Sequence, residues 1–263
     1  MSGYVATDAG AYERSMGRWS RRLAEPFLDA LALPAGAAVL DAGCGTGALA
    51  EALAARDPAA RITGTDLSES FIAAARARVP GAAFRQGDIT HLPDPDGAFD
   101  AALSLLVLQF VPDRAAAVAE LARVTRPGGI VAAAMWDFVG GFGFVRTFAD
   151  SVAVAQPGGE EFRARYFGDS VGSPGRLAAL FEAAGLADVV EQDIAIRQHF
   201  TDFDDWWSPW LTGQGVAGAF VAALDPARRA EVAALARRTY LAGGPEGPRS
   251  FVAVARLAVG RRA

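Results

Sequence analysis

Residues 39–47 read VLDAGCGTG, an apolar run followed by an acid and by glycines at alternate positions. Gly43 and Gly45 permit the positive φ and the close backbone approach that a side chain would block. The pattern predicts a strand that ends near Asp41, then a tight turn, then a helix that opens at Gly47 with free backbone amides. The stretch therefore predicts a turn against which a ligand can lie in direct contact with the backbone.

Around this turn, short apolar runs alternate with alanine-rich runs of helical character. We predict strands at 38–41, 61–66, 83–86, 98–106 and 130–136. We predict helices near 47–57, 68–79 and 113–126. This alternation is typical of an α/β fold, a doubly wound, mostly parallel sheet with helices on both faces. Residues 101–108 are almost entirely apolar, as a strand covered on both faces requires.

Two blocks rich in glycine and aromatic residues interrupt the alternation, at 137–173 and 201–248. Within them we predict helices only near 143–155 and 226–241. Neither block resembles a flexible Gly/Ser linker between domains. We therefore predict one domain over 1–263, in which the two blocks are insertions that form a cap over the substrate.

The segments outside these blocks complete the predicted fold. A helix at 174–184 and a strand at 189–200 lie between the insertions, and a last strand at 250–259 follows them. Apolar residues at helical spacing predict an amphipathic helix over 12–33, ended by the proline that follows it. We expect the N-terminal segment, residues 1–34, to act as a lid.

Composition and charge narrow the possible functions. The 263 residues are 52% apolar and 21% charged, which excludes intrinsic disorder of the whole chain. The 25 basic residues, all arginine, are outnumbered by 30 acidic ones, and the net charge of −5 argues against nucleic acid as a partner. The absence of lysine excludes Schiff-base chemistry. One cysteine and two histidines exclude an intramolecular disulfide and a Cys/His zinc site.

Two further acids follow the next two predicted strands. Asp66 ends the second strand and Asp88 ends the third, while Asp41 ends the first. Because the carboxyl ends of parallel strands meet at one edge of a sheet, we expect the three carboxylates to lie along that edge, where open α/β sheets bind ligands. A carboxylate at the second position can accept both hydroxyls of a ribose. At the third position, a carboxylate can accept the amino group of an adenine.

These motifs together resemble the class I S-adenosylmethionine-dependent methyltransferases. Residues 41–47, with the pattern D-x-G-x-G-x-G, are similar to that family's glycine-rich first motif. Residues 99–104 (FDAALS) and 126–129 (RPGG) resemble its fourth-strand motif and the turn before its fifth strand. The resemblance is strong over residues 35–136, and it implies a seven-stranded sheet whose last strand is antiparallel.

The resemblance also implies a cofactor, S-adenosyl-L-methionine, with S-adenosyl-L-homocysteine as the product. Carried over position by position, the family's cofactor contacts are Asp41, Gly43, Cys44, Gly45, Gly47, Asp66, Leu67, Asp88, Ile89, Ser104 and Leu105. In similar enzymes a segment before the first strand folds over the cofactor, which adds Arg14 and Trp19. Cys44 is expected to touch the ligand through its backbone rather than as a reactive thiol.

The implied reaction transfers a methyl group from the sulfonium to an oxygen, nitrogen or carbon atom of a small, partly apolar molecule. Because the leaving group departs neutral, the main demands are alignment, proximity and desolvation. No Asp/Asn/His cluster suggests a metal site, so transfer without a metal is favoured. Two alternatives stay open. One is a non-methylating enzyme or partner protein that binds the same cofactor; the other is an NAD-dependent dehydrogenase, whose fingerprint has its last glycine one position later.

Three residues are candidates for a catalytic role. Asp137 follows the fifth strand and is placed to hold or deprotonate an acceptor, although acids at such positions often cap a helix. Gln109 lies just past the fourth strand, where it could orient an acceptor or satisfy the backbone of its loop. His199 ends a predicted strand and is either a general base or a structural histidine.

Aromatic residues concentrated in the two insertions predict a mostly apolar substrate pocket. They are Phe138, Phe142, Trp206, Trp207 and Trp210. The expected partner is a small-molecule acceptor, without nucleic acid or membrane, and the expected assembly is a monomer or a homodimer. The start shows no secretory signal and no apolar run reaches a membrane span, so we expect a cytoplasmic protein. The richness in alanine and arginine suggests bacterial secondary metabolism.

Overall fold

The computed structural model describes residues 8–168, 170–213 and 215–263. Within them, seven strands form one sheet. They are β1 (Ala38–Ala42), β2 (Arg61–Asp66), β3 (Ala83–Gln86), β4 (Phe99–Leu105), β5 (Thr125–Trp136), β6 (Leu186–Phe200) and β7 (Arg249–Arg262). Their order across the sheet is β3-β2-β1-β4-β5-β7-β6. One strand is antiparallel, and the predicted fold class is confirmed.

Eleven α-helices lie between or before these strands in the described residues. They are α1 (Ala9–Tyr12), α2 (Arg18–Asp29), α3 (Ala48–Arg56), α4 (Glu69–Arg78), α5 (Arg114–Val124), α6 (Gly143–Ala155), α7 (Gly159–Phe167), α8 (Arg176–Ala183), α9 (Phe203–Trp207), α10 (Gly215–Ala223) and α11 (Pro226–Leu241). The structure contains short 3₁₀ turns at Leu108–Phe110 and Ser208–Thr212.

The central strands are parallel and set the geometry of the predicted ligand edge. β1 pairs with β2 on one side and with β4 on the other, and Asp41 lies opposite Gly64 and Leu103. β2 pairs with β3, with Asp66 opposite Gln86. The carboxyl ends of β1, β2 and β3 therefore meet at one edge of the sheet, as predicted.

The middle of the sheet is covered on both faces. Every residue of β4 from Ala101 to Ser104 has an exposed fraction of 0%, and residues 131–134 of β5 are equally buried. Small alanine side chains dominate these stretches, so helices can approach the strands closely. Continuous burial explains why these strands show no alternation of polar and apolar residues.

The N-terminal helix differs from the prediction at its ends. The helical stretch runs from Ala9 to Asp29, where we expected 12–33, and it includes Pro26 in its last part. It begins at Ala9 because the Asp8 side chain accepts the N–H of Ala11 at 3.1 Å. It ends at Asp29, five residues before Pro34, so the predicted end at residue 33 was wrong. Residues 1–7 of the predicted lid lie outside the described residues.

Within this helical stretch, residues Glu13–Gly17 form a π-helical turn. π-helical turns are rare, and those that occur often lie at functional sites. A Cβ on Gly17 would lie 2.8 Å from the carboxyl carbon of Glu13, so the end of the Glu13 side chain lies directly against Gly17. The turn thus brings the Glu13 carboxylate against the inner face of the helix.

The chain separates into two compact units. The first contains the residues up to 135 together with 171–194 and 255–263. The second contains residues 136–170 and 195–254. The second unit holds most of the two blocks that we predicted as insertions, and the assignment of the chain to a single domain stays a prediction.

The second unit is more helical than the sequence suggested. The helices predicted near 143–155 and 226–241 are confirmed as α6 and α11. α7, α9 and α10 lie in stretches that we expected to be irregular, and that expectation was wrong. Flanking glycines such as Gly158, with a φ of 74°, hide the start of α7 in the sequence. α9 is a single short turn, capped by Asp202.

Candidate functional site

The glycine turn, residues 43–47, joins β1 to α3. Gly43, Gly45 and Gly47 have φ values of 78°, 53° and 88°, in the region that favours glycine. A Cβ on Gly43 would lie 2.4 Å from a methyl of Val107. A Cβ on Gly45 would meet nothing within 4 Å. The first glycine is therefore required by packing, whereas the second borders open space that a ligand can enter.

Asp41 is a buried acid with an unused oxygen beside this turn. Its exposed fraction is 1%, and its Oδ2 has no hydrogen-bond partner in the described part of the chain. Burial is the main cause that raises the pKa of Asp41 to about 7, and the charge of Asp66 adds to the increase. The backbone N–H of Ala50 donates to Asp41 and lowers the pKa in part. An orphaned carboxyl oxygen is well suited to accept a hydrogen bond from an ammonium or hydroxyl group of a ligand.

Asp66 supports the glycine turn directly. Its Oδ2 accepts the N–H of Gly45 and its Oδ1 accepts the N–H of Ser68, both at 2.9 Å. Burial raises the pKa of Asp66, although these backbone donors lower it in part. A carboxylate has about four lone-pair sites, so two hydrogen bonds leave capacity for the ribose that the sequence predicts here.

The adenine-side residues lie beyond the end of β3. Asp88 is exposed and its Oδ1 accepts the N–H of Thr90 at 2.9 Å. Ile89 is buried, with an exposed fraction of 5%, while Leu67 after β2 is 68% exposed. The three aspartates lie along one sheet edge, and their contact with a cofactor stays a prediction.

Ser104, Leu105 and Cys44 complete the predicted set. The Ser104 hydroxyl donates to the carbonyl of Ala42 at 3.0 Å, so it ties β4 to the end of β1. Leu105 lines a small cavity beside the glycine turn. The Cys44 thiol is buried, and burial raises its pKa well above the usual range, so it stays protonated and unreactive. Contact of the Cys44 backbone with the ligand stays a prediction.

The N-terminal helix covers the glycine turn through residues that the sequence did not single out. Tyr12 and Ser20 line the cavity beside the turn and share a hydrogen bond of 3.0 Å. The Glu13 carboxylate accepts the hydroxyl of Thr46, which lies within the turn, and pairs with Arg78 of α4 at 3.1 Å. The N-terminal segment therefore closes the turn with a charged contact as well as with apolar packing.

We predicted Arg14 and Trp19 from this segment, and their contact with a cofactor stays a prediction. Arg14 is exposed. Trp19 is buried, with the guanidinium of Arg18 4.5 Å from the centre of its ring. The contacts that the structure gives at the glycine turn come from Tyr12 and Glu13. No sequence signal marks Glu13, because its partner Thr46 is 33 positions away.

The three catalytic candidates each make structural hydrogen bonds. Gln109 is buried, and its Oε1 accepts the N–H of Val171 at 2.8 Å. Asp137 accepts the N–H groups of the two residues at 139 and 140 at 3.0 Å each, as a turn cap does. His199 is half-buried and its Nδ1 lies 3.1 Å from the Ser250 hydroxyl. Their catalytic roles stay predictions.

The predicted substrate-binding aromatics come together in the second unit. Phe142 and Trp206 have exposed fractions of 1% and 0%, and Trp207 and Trp210 are also buried. Their rings form a continuous series in which Phe144 lies 5.8 Å from Phe142 and 4.6 Å from Trp210. Phe138 packs edge-on against Phe142 at 5.5 Å. The aromatics thus build the core of this unit, and contact with an acceptor stays a prediction.

Two kinds of feature are absent from the described residues. None of the side chains described form a group of three or more His, Cys, Asp or Glu that could hold a metal ion. Of the helices that the structure describes, none combines the length and the apolar character needed to cross a bilayer.

Comparison with known proteins identifies the family. The profile of a family described as a methyltransferase domain matches residues 40–133, which include the last three residues of β1, all of β2 to β4 and most of β5. The methyltransferase GfsG of Streptomyces halstedii is 34% identical over 207 residues, 74% of this chain and 71% of that protein. The chain belongs to the class I S-adenosylmethionine-dependent methyltransferases. The glycine turn of this family member is therefore the first motif that the sequence predicted.

Other relatives of this methyltransferase-family chain match over a shorter region. Trans-aconitate 2-methyltransferase of Variovorax paradoxus is 40% identical over 116 residues, 44% of this chain and 45% of that protein. The chain spans about half the length of the first curated relatives that it matches. Among solved structures, the [4+2]-cyclase SpnF has the same fold, with a TM-score of 0.54 and 22% identity over all of this chain and 87% of that one.

Proposed function

We propose that this protein transfers a methyl group from S-adenosylmethionine to an oxygen, nitrogen or carbon atom of a small, partly apolar molecule. The observation that carries the proposal is the orphaned Oδ2 of Asp41 beside the open backbone at Gly45. A buried carboxyl oxygen that accepts no hydrogen bond, next to a turn without side chains, fits a ligand whose own N–H or O–H groups can donate to it. Membership of the methyltransferase family supports the same ligand.

Different residues at the sheet edge would bind different parts of the cofactor. The glycine turn and Asp41 would hold the amino-acid end, Asp66 the ribose, and Asp88 with Ile89 the adenine. When bound, S-adenosylmethionine supplies a methyl group on a positively charged sulfur. Leu105 adds an apolar wall beside the turn. The orphaned oxygen, the open turn and the unused lone pairs of Asp66 all fit this group.

The chain contributes to catalysis by binding, alignment and exclusion of water. The N-terminal helix covers the glycine turn through Tyr12 and Glu13, which limits the access of water there. Contact between the acceptor and the aromatic residues of the second unit stays a prediction. Asp137, Gln109 and His199 each make structural hydrogen bonds, and a part in orienting or deprotonating the acceptor stays a prediction for each of them. Transfer mainly by proximity and alignment, without a metal, is our proposal.

We also propose the cellular setting. The protein acts in the cytoplasm of a bacterium, in secondary metabolism, as a monomer or homodimer without a nucleic-acid or membrane partner. The acidic net charge of −5 supports the last part, because a polyanion would be repelled.

The proposal is tested in two steps. Calorimetry with S-adenosylhomocysteine should give saturable binding to the wild-type protein, whereas NADH should give none. Asp41→Asn should weaken S-adenosylhomocysteine binding by about tenfold, the loss of one charge-assisted hydrogen bond. Tighter binding of NADH than of S-adenosylhomocysteine would replace the proposal with the dehydrogenase alternative. Uptake of labelled methyl groups into a metabolite extract then identifies the acceptor.

A second candidate is an enzyme that binds the cofactor without transferring its methyl group. The whole-chain fold similarity to the [4+2]-cyclase SpnF favours this candidate, since the same fold carries a cyclase there. The discriminating measurement is the formation of S-adenosylhomocysteine with the identified substrate. Turnover of substrate without S-adenosylhomocysteine would support the cyclase-type candidate.

A further inference from the structure

Two neighbouring strands of the second unit, the end of β6 and the start of β7, have one face open to solvent. On β6, residues 196, 198 and 200 are buried, whereas Arg197 is exposed and His199 is half-buried. On β7, Ser250 and Val252 are exposed. Because side chains alternate along a strand, these exposed residues share the face opposite to the buried one. A ligand can therefore reach this face directly.

Three side chains of this face are hydrogen-bonded to one another, and we call Arg197, His199 and Ser250 the donor trio. The Nε of Arg197 donates to the hydroxyl of Ser250 at 3.0 Å, and its Nη2 lies 3.5 Å from Nδ1 of His199. The hydroxyl of Ser250 lies 3.1 Å from the same Nδ1. Nε and Nη2 form the side edge of the guanidinium, so its end edge, formed by Nη1 and Nη2, points away from both partners.

These contacts assign the ring proton of His199. An arginine nitrogen can only donate, so Nδ1 of His199 is an acceptor and the ring carries its proton on Nε2. The hydroxyl of Ser250 accepts from Arg197 and can donate its own proton to the same Nδ1. The acceptor atoms of the donor trio are thus engaged within it, and the groups it offers to a ligand are donors.

The same hydrogen bonds hold the guanidinium of Arg197 in place. An exposed arginine loses rotamer freedom when it binds a ligand, which weakens the binding. Ser250 and His199 fix the side edge of the guanidinium before any ligand arrives. A planar fork held in this way suits a carboxylate, which it can bind through two parallel hydrogen bonds.

The charge of the donor trio selects a singly charged anion. Arg197 supplies one positive charge, and His199 is neutral in this tautomer. The acids that precede Arg197 on β6 are Glu191 and Asp193, which lie in the first unit and pair with Arg256 there. A carboxylate would be balanced one to one by Arg197, whereas a phosphate dianion would keep one charge without a partner.

The face beside the donor trio is apolar. Ala195 precedes Arg197 by two positions and is exposed, and Val252 follows Ser250 by two positions with an exposed fraction of 63%. Covering exposed apolar side chains with an apolar group is favourable. The ligand that fits this face therefore carries an apolar body next to its carboxylate.

We propose that the donor trio binds the carboxylate of a small organic acid. The carboxylate accepts from the end edge of the Arg197 guanidinium, with Nε2–H of His199 as a further donor, and the apolar body covers Val252 and Ala195. Ser250 is a positioning residue, since it acts through Arg197. The site does not depend on the proposed methyl transfer.

Proton NMR can follow the site directly, because the chain has only two histidines, His91 and His199. The two ring C2–H signals are assigned with His91→Gln. Titration with hexanoate should move the His199 signal along a saturating curve and leave the His91 signal in place. Acetate, which lacks the apolar body, should bind at least about threefold more weakly. Hexylammonium and inorganic phosphate should give no saturating shift.

Three results of these titrations would overturn the proposal. They are no saturating shift with hexanoate, a saturating shift of the His199 signal with hexylammonium, and binding of acetate or phosphate at least as tight as that of hexanoate. The last result would assign the exposed arginine to adventitious ion binding only.

Arg197→Gln should weaken hexanoate binding by at least about tenfold, because the charge-assisted hydrogen bonds are lost. Arg197→Lys keeps the charge without the fork and should give an intermediate loss. The matched control is Arg238→Gln, which removes the same charge at an exposed position of α11 and should leave the affinity unchanged. Full affinity in Arg197→Gln, or an equal loss in Arg238→Gln, would overturn the proposal.

The positioning role of Ser250 has its own pair of variants. Ser250→Ala should weaken hexanoate binding by about threefold, whereas Ser250→Thr keeps the hydroxyl and should restore it. Equal weakening by both variants would overturn the role assigned to Ser250. S-adenosylhomocysteine should bind Arg197→Gln as it binds the wild-type protein, which checks that the variant is folded. Loss of that binding in the wild-type protein would overturn the proposed function and leave the carboxylate site standing.

Discussion

The backbone N–H of Gly45 donates to Oδ2 of Asp66 at 2.9 Å, so the acid that ends β2 holds the turn that follows β1. The other oxygen of the same carboxylate accepts the N–H of Ser68, the residue that caps α4. One side chain thus stabilises turns on two neighbouring strands. Because burial raises the pKa of Asp66, these backbone donors are what favour its ionised form.

Asp66→Ala should lower the free energy of unfolding by about 2–3 kcal/mol, since hydrogen bonds to a charged group contribute about 1.5–3 kcal/mol and water replaces part of the loss. Urea denaturation at pH 8, followed by tryptophan fluorescence without ligand, measures the change. The matched control is Asp88→Ala, which removes an exposed carboxylate with a bond to Thr90 and should cost less than about 1 kcal/mol. Equal losses in the two variants would contradict the supporting role of Asp66.

Two substitutions in the glycine turn, Gly43→Ala and Gly45→Ala, form a second matched pair of variants. Gly43→Ala places a methyl 2.4 Å from Val107 at a φ of 78°, so it should cost about 2–4 kcal/mol of stability from overpacking and backbone strain. Gly45→Ala meets no atom within 4 Å and should cost only the backbone strain, about 1–2 kcal/mol. Urea denaturation of both variants measures the difference.

For the affinity of S-adenosylhomocysteine the order of the two variants should be reversed, so that Gly45→Ala loses more than Gly43→Ala. The methyl of Gly45→Ala would occupy the open space that we assign to the cofactor, so the affinity for S-adenosylhomocysteine should fall by at least tenfold at a temperature where the variant is folded. Calorimetry gives this value. Full affinity in Gly45→Ala would show that the ligand does not approach this backbone.

The pair formed by Glu13 and Arg78 should hold the N-terminal helix on the glycine turn. Burial opposes the charge of Glu13, yet hydrogen bonds from Thr46, Arg78 and Arg21 lower its pKa overall. Glu13→Gln should therefore cost about 1 kcal/mol of stability at pH 7, given that the pair is only partly buried. Hydrogen exchange of residues 8–17 should become faster.

The same pair predicts a pH dependence. A lowered folded pKa means that the contribution of Glu13 is fully present above its ordinary value of 4.5 and is lost as the pH falls through the folded pKa. The stability difference between wild type and Glu13→Gln should thus vanish in acid. Glu182→Gln, at an exposed position of α8, is the control and should show no difference at either pH. A constant difference between pH 7 and acid would contradict the charged contact.

The sequence predicted the first half of the fold well for a physical reason. Strands such as β1 and β4 are mostly apolar runs bounded by turn residues, and the glycine turn requires residue types that few other structures need. The three aspartates could be placed on one edge because parallel strands in sequence end on the same side. These are local signals, and five strands were found from them.

The parts that sequence analysis missed depend on distant contacts. Glu13 has its role only because the chain brings Thr46 and Arg78 to it. Gln198 looks like a polar position on a half-exposed strand, and its complete burial is known only from the packing of the second unit. α9 is too short, and α10 too uniformly apolar, to show a helical period.

Ionisation of Asp41 should lower the free energy of unfolding as the pH rises. Its folded pKa of about 7 lies above its ordinary value of 3.8, so the folded state holds the proton more tightly than the unfolded state does. The cost of ionisation therefore begins above about pH 4 and is complete above about pH 7. Asp41→Asn removes this cost and should be more stable than wild type by roughly 2–4 kcal/mol at pH 8, with little difference at pH 4. Urea denaturation across this range measures it.

The titration of Asp41 should also affect ligand binding, where the affinity should increase with pH although the stability decreases. A ligand that donates to Oδ2 of Asp41 favours the ionised carboxylate, so its binding lowers the pKa of Asp41 and its affinity rises with pH. Between pH 5.5 and 8, the wild-type affinity for S-adenosylhomocysteine should increase and level off above about pH 7. Asp41→Asn should bind more weakly and without that slope, because its amide does not titrate. A slope of the same size in both proteins would place the titrating group elsewhere and remove Asp41 from the binding site.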